Sequence, residues 1–220
     1  MQTVTLGRTG ITVNKNGFGA LPIQRVSADY AGMLLRKAYN AGITYFDTAR
    51  SYSDREEKMG LALSDVRENI IIATKTPSTT AEGFWQDLET SLRLLKTDYI
   101  DLYQVHNPGP AELDQILAEG GALEALMEAK KAGKIGHIGL TAHLEAVFER
   151  ALELPWVETI MFPYNIVENQ GEALMRRCTE KGIGFVCMKP LAGGAIEDGR
   201  LALRYILANP DVTVAIPGMA

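Results

Sequence analysis

Short apolar runs recur along this chain, and most turn polar at their C-terminal ends. Residues 44–48, 69–75, 99–106, 135–141, 159–165, 184–189 and 213–218 have this character. Near-continuous apolar runs of that length, rich in β-branched and aromatic residues, predict strands covered on both faces. Between them the apolar positions switch to helical spacing. Tyr30, Leu34, Ala38 and Ala41 share one predicted face in residues 29–41, and residues 56–63 form a short helix. Further helices are marked by Phe84, Leu88, Ser91, Leu92 and Leu95; by Leu123, Leu126 and Met127; by Val147, Ala151 and Leu154; by Leu174 and Cys178; and by Leu201, Tyr205 and Ala208. Gly42, Gly133, Gly182 and the pair Asn209-Pro210 supply stop signals. Ahead of this alternation, Val4 and Leu6, then Ile11 and Val13, flank Gly7-Arg8-Thr9-Gly10 and predict a small hairpin. Residues 16–21 are Gly-rich and predict a short strand whose backbone approaches something closely.

The predicted strands start near 44, 69, 99, 135, 159, 184 and 213. A helix between successive strands implies right-handed parallel crossovers. Counted from Gly17 there are eight strands, with a helical pattern after each of the first seven. This predicts an α/β protein, a (β/α)8 TIM barrel with an N-terminal β-hairpin, as one domain over residues 1–220. A doubly wound open sheet is the alternative, because closure is not written in a strand–helix pattern. No residues follow the eighth strand to form an eighth helix, so the barrel is expected to be truncated there or covered by another segment or chain. An uncovered position of this kind would expose apolar surface and favour self-association.

Composition narrows the functional classes. The 220 residues are 46% hydrophobic and 22% charged, with a net charge of −5. An acidic balance without a Lys/Arg block argues against nucleic acid or an anionic membrane as a partner. No apolar run approaches a membrane span, and Met1-Gln2-Thr3-Val4 has no leader character. Cys178 and Cys187 have no metal-binding spacing and read as reduced thiols of a cytoplasmic protein.

The candidate chemistry lies where strands end. Asp47 closes the strand at 44–48, Tyr52 follows in a loop, and Lys75 and His106 close the next two strands. Singly, each has an ordinary explanation: a cap, a loop aromatic, a snorkelling lysine, a rim histidine. In a barrel all four converge on one mouth. An ammonium beside a phenol favours the phenolate and makes the phenol a better acid near neutrality. A carboxylate keeps the ammonium charged and placed, and an imidazole can orient a substrate oxygen. The phenol can then protonate an oxygen on which negative charge develops. That chemistry suits reduction of a carbonyl, and hydride must come from a nicotinamide cofactor because no side chain supplies it.

These residues carry a family resemblance. Leu6-Gly7-Arg8-Thr9-Gly10; Phe46-Asp47-Thr48-Ala49 with Tyr52, Glu56 and Gly60; Ala73-Thr74-Lys75; and Asp101-Leu102-Tyr103-Gln104-Val105-His106 resemble the aldo-keto reductase superfamily. So do Gly133-Lys134-Ile135-Gly136, Ile138-Gly139, Tyr164-Asn165, Pro190-Leu191 with Gly193-Gly194, and Ile216-Pro217-Gly218. The ordered set spans nearly the whole chain. It implies a (β/α)8 barrel and reduction of a small-molecule aldehyde or ketone by NADPH, with NADH possible. Asp47, Tyr52, Lys75 and His106 would form the catalytic tetrad, with Tyr52 as the acid. Cofactor contacts are implied at Ala20, Asp47, Thr141, Met188, Lys189, Pro190, Leu191, Gly193 and Gly218; no metal is implied. Thr141-Ala142 stand where the family usually has Ser-Asn, Met161 where it has Gln, and Met188 where an aromatic stacks on the nicotinamide. These departures keep open a second reading, a nicotinamide-binding sensor module with little turnover.

Overall fold

A computed structural model describes residues 2–51 and 53–219 of the chain. The predicted hairpin is present: β1 (Thr3–Thr5) pairs antiparallel with β2 (Thr12–Asn14). There follow β3 (Phe18–Gly19), α1 (Ala28–Asn40), β4 (Tyr45–Asp47), α2 (Arg55–Leu63), β5 (Ile71–Thr76), α3 (Ala81–Leu95) and β6 (Ile100–His106). The second half comprises α4 (Pro110–Leu117), α5 (Ala122–Lys131), β7 (Ile135–Thr141), α6 (Glu145–Ala151), β8 (Thr159–Pro163), α7 (Glu172–Glu180), β9 (Gly184–Met188), α8 (Gly199–Ala208) and β10 (Val214–Ala215). Among the described residues no helix follows β10, and none is long and apolar enough to cross a membrane.

The eight strands β3 to β10 form one parallel sheet in chain order. The sheet curls until its two edges meet. Asn16 bridges Ala215 and Gly19 bridges Gly218. Gly17 N–H donates to Ala215 O at 2.8 Å and Gly19 N–H to Pro217 O at 2.9 Å. The Gly-rich run therefore approaches the last strand. A Cβ on Gly19 would lie 2.7 Å from Ile216 O, so a side chain there would prise the seam open. This closed (β/α)8 arrangement, not the open doubly wound sheet, is the fold.

The hairpin plugs the end of the barrel where the strands begin. Leu6 and Val13 join Tyr45, Ala73, Leu102, Met161, Val186, Val214 and Ile216 in one buried apolar cluster. Arg8 donates to Pro155 O and Val157 O at 2.9 and 2.7 Å, and its N–H to Gly182 O at 2.7 Å. Gly7 sits at φ 55°, and a Cβ there would lie 2.2 Å from Gly184 N. Gly7→Ala meets both a left-handed backbone and a collision with another backbone. It is expected to cost about 1–3 kcal/mol, lowering Tm in a thermal melt by a few degrees to about 10 °C.

Two details differ from the periodicity reading. The buried face of α1 is Ala31, Leu35 and Ala38, and Tyr30 is 46% exposed. Residues one position apart satisfy the same 3–4 spacing, and helix rotation is chosen by what packs opposite. In the same way α8 buries Ala202 and Ile206 and exposes Leu201. Helix α4, begun by Pro110 at its first position, has no counterpart in the reading from periodicity; its buried residues are Leu113 and Ile116 alone.

Candidate active site

Alternation along the strands carries polar groups above the apolar floor. Tyr45 lies in the floor cluster, so Asp47, two residues on, shares its interior face. The same step leads from Ala73 to Lys75 and from Leu102 to Gln104 and His106. Register sets Asp47 opposite Ala73, and Lys75 opposite Gln104. Lys75 Nζ lies 2.5 Å from Asp47 Oδ1 and 2.5 Å from Thr48 O. Gln104 Nε2 donates to Asp47 Oδ2 at 3.2 Å. Lys75 is 2% exposed and Asp47 4%, so this is a buried ion pair. Burial pushes the Asp47 carboxyl up and the Lys75 ammonium down, and each partner opposes the shift of the other.

His106 lies at the end of the next strand, with Nδ1 3.5 Å from Ser51 Oγ. Its pKa is pushed down to about 4 by burial first, then by the cations Lys75, His143 and Arg55. The imidazole is therefore neutral at pH 7, with a donor and an acceptor rather than two donors. A depressed histidine stabilises the fold above its unfolded pKa of about 6.5, and that contribution is lost as pH falls toward 4. In a heteronuclear NMR titration, the His106 ring signals are expected to hold their neutral positions through pH 6 and to shift near pH 4.

Tyr52 lies outside the described residues. The loop around it begins at Arg50, whose N–H donates to Lys75 O at 2.9 Å, and returns through α2. Arg55 opens that helix and is 2% exposed; its Nη2 donates to Gln24 Oε1 at 2.6 Å. Lys58 Nζ donates to Ile23 O and Val26 O at 3.1 and 2.9 Å. Both side chains thus hold the segment after β3 against α2.

The residues implied as cofactor contacts fall at the same strand ends or on the loops after them. Ala20 is fully buried, and its N–H donates to Asp47 O at 2.9 Å. Thr141 Oγ1 accepts from Asn107 N–H at 2.9 Å and is 2% exposed. Met188 is half-buried against the floor cluster, and Met161 belongs to it. Lys189 is exposed with φ 53°, and its carbonyl accepts from Asn165 Nδ2 at 3.0 Å. Pro190 and Leu191 lead into a 3-10 turn, Ala192–Gly194. Gly193 and Gly194 have φ 68° and 102°, with open space where a Cβ would stand. A Cβ on Gly218 would lie 2.6 Å from Pro22 Cγ; this glycine lets the end of the chain pack on the segment after β3.

Two site residues escape a reading of sequence alone. Gln104 had a usable signal, because it stands two residues before His106 on the same strand and therefore faces the same way. Arg55 had none. It sits in Ser53-Asp54-Arg55-Glu56-Glu57-Lys58, which looks solvated, yet Arg55, Glu56 and Lys58 are buried. Asp101, quoted within a family motif, lies away from the mouth; it accepts from Arg67 at 2.6 Å and from Ile72 N–H at 2.9 Å.

A closed parallel barrel with a buried carboxylate–ammonium pair and a neutral imidazole at its mouth defines a recognisable class, and comparison with known proteins agrees. The family model for the aldo/keto reductase family matches residues 15–200. The chain belongs to that family of oxidoreductases. It is 29% identical to L-galactose dehydrogenase of Arabidopsis thaliana over 266 aligned residues, covering 98% of this chain and 83% of the relative. Among solved structures, a putative aldo-keto reductase of Pseudomonas aeruginosa superposes with a TM-score of 0.87 at 30% identity, covering 99% of this chain and 88% of that one. An aldo-keto reductase of Bacillus halodurans, solved in its holo form, gives 0.89 at 26% identity, covering 100% and 86%.

Proposed function

We propose that this chain reduces an aldehyde or ketone of a small molecule to an alcohol, with hydride from NADPH. Tyr52 donates the proton, Lys75 and Asp47 tune it, and His106 orients the carbonyl oxygen. The observation that carries the reading is the buried Lys75–Asp47 pair at 2.5 Å. A buried ion pair is a poor way to stabilise a fold, since desolvation offsets much of the attraction. It is a good way to keep an ammonium charged where a phenol must lose its proton. Gln104 and the Thr48 carbonyl hold the pair in one geometry.

The residues at the mouth fit a dinucleotide. Exposed Lys189 and the open backbone around Gly193 offer a cation and room for a pyrophosphate to approach closely, while the Gly194 N–H is already engaged by Leu191 O at 2.8 Å. Thr141 would meet the carboxamide through its hydroxyl hydrogen, its oxygen being engaged by Asn107 N–H. Met188 would pack on the nicotinamide ring in place of an aromatic, and Ala20, Asp47, Pro190, Leu191 and Gly218 would complete the walls. When bound, the reduced nicotinamide supplies the hydride. The neutral His106 holds the substrate oxygen by donating a hydrogen bond, and Tyr52 passes its proton to that oxygen as charge builds on it. The relative named for L-galactose makes sugar aldehydes and lactols one class to include in a substrate panel.

The test is consumption of NADPH, followed by its absorbance, with 4-nitrobenzaldehyde and a panel of aliphatic, aromatic and sugar aldehydes. Turnover with stoichiometric alcohol formation is expected. Tight NADPH binding by fluorescence, without turnover on any member, would overturn the reductase reading and favour a sensor.

A further inference from the structure

The segment that carries Tyr52 is closed by an ion pair between its two ends. Arg50 Nη1 pairs with Glu56 Oε2 across the residues between them. Glu56 is 1% exposed, and its other oxygen, Oε1, accepts from Thr74 Oγ1 and Ser91 Oγ, both at 2.7 Å. Thr74 and Lys75 are consecutive on β5, so they point to opposite faces of the barrel wall. Thr74 meets Glu56 behind the wall, and Lys75 meets Asp47 inside it. Arg50 is bound to this strand again through its own N–H to Lys75 O. One carboxylate therefore gathers the start of the loop, the start of α2, strand β5 and helix α3.

A buried carboxylate with this many partners is more than packing requires. Burial first, and then Asp87 of α3, push the Glu56 carboxyl up, while Thr74, Ser91 and Arg50 act to keep it ionised. Among the described residues, Lys75 of β5 and Tyr103 of β6 also interact electrostatically with it. An apolar residue here would avoid the desolvation cost, so the charge has to be explained by what it holds.

We infer that the Arg50–Glu56 pair is a latch that sets the acid-bearing loop over the Lys75–Asp47 pair, making Arg50 and Glu56 positioning residues for the reaction. This rests on Tyr52 being the acid. Misplacing a reacting group by about 1 Å can cost on the order of 100-fold in rate. The latch would supply that accuracy from outside the pocket, without touching substrate or cofactor.

The test uses Arg50→Met, Arg50→Lys and Glu56→Gln in the whole chain, with Tyr52→Phe as a reference. Arg50 is 17% exposed at its side chain, but Arg50→Met leaves Glu56 buried without its guanidinium, so thermal melts of the variants accompany the kinetics to separate lost stability from lost positioning. Arg50→Met is expected to lower kcat about 10- to 100-fold, with NADPH affinity within about twofold and Arg50→Lys recovering most of the rate. Glu56→Gln keeps an oxygen for Thr74 and Ser91 but loses the charge. Its loss should resemble that of Arg50→Met, and the double variant should lose little more than either alone. Independently of activity, hydrogen exchange of amides in residues 50–56 should quicken about 10-fold or more in Arg50→Met, while β5 and β6 keep their protection. Unchanged exchange in that loop, or equal acceleration throughout β5 and α3, would overturn the latch. So would additive losses in the double variant, or a parent-like kcat in Arg50→Met while Tyr52→Phe is inactive. If Tyr52→Phe turned over at the parent rate, the catalytic reading would fall, and the exchange experiment would still decide whether the pair holds the loop.

Discussion

Lys75→Met is expected to cost both stability and activity. The substitution keeps the length of the side chain and removes its charge, leaving Asp47 buried without its ammonium. Stranding one member of a buried pair in this way costs roughly 3–5 kcal/mol. For a protein of this size that is a Tm lower by roughly 6–20 °C. Asp47 will take up a proton rather than remain ionised, because burial already pushes its carboxyl up and Lys75 is the foremost group opposing that. Lys75→Met is therefore expected to recover some stability as pH falls through the raised Asp47 pKa, since a carboxyl raised in the folded state stabilises only when protonated. Turnover should fall about 100- to 10,000-fold, the usual worth of acid–base assistance. The double variant Asp47→Asn/Lys75→Met separates the two effects. It should regain much of the stability and none of the activity. Chemical denaturation and steady-state kinetics on the same preparations check both, and a double variant as unstable as Lys75→Met would show that the charge is not the cause.

Tyr52→Phe should give the opposite combination. It removes one hydroxyl from a loop and no member of the ion pair. The expected result is a loss of kcat on the order of 100- to 10,000-fold with a melting curve and NADPH affinity close to the parent. An interaction made only in the transition state lowers kcat and kcat/KM together, so KM should stay near its original value. A Tyr52→Phe variant with parent-like kcat would remove the phenol from the mechanism, and the remaining acid candidates at the mouth would be His106 and Lys75. Read together, the two variants distinguish the group that transfers the proton from the groups that make it able to.

Much of the architecture could be read from the chain because strand and helix patterns are local. Each apolar run is buried on both faces, so its residues carry the signal whatever their neighbours are. The polar residue at the end of each strand stood out against the same background, and this is how Asp47, Lys75 and His106 were found. Helix rotation was less accessible: Tyr30 and Ala31 fit the α1 stripe equally well, and only packing against α2 and the sheet chose between them. The proposed cofactor contacts came from resemblance rather than from the residues. A glycine in Pro190-Leu191-Ala192-Gly193-Gly194 looks the same in an idle loop as in a phosphate cradle.

By itself, the sequence determined the alternation of strands and helices, the small hairpin ahead of them, and which titratable groups end which strands. Each of these depends on residues close together in the chain. Only the tertiary structure decided that β3 meets β10, that Lys75 reaches Asp47 at 2.5 Å, and that Arg55, Glu56 and Lys58 leave solvent for the interior. Those outcomes depend on groups distant in sequence, and on a desolvation cost that no single residue reveals. A charged residue becomes a buried one only when another part of the chain supplies its partner.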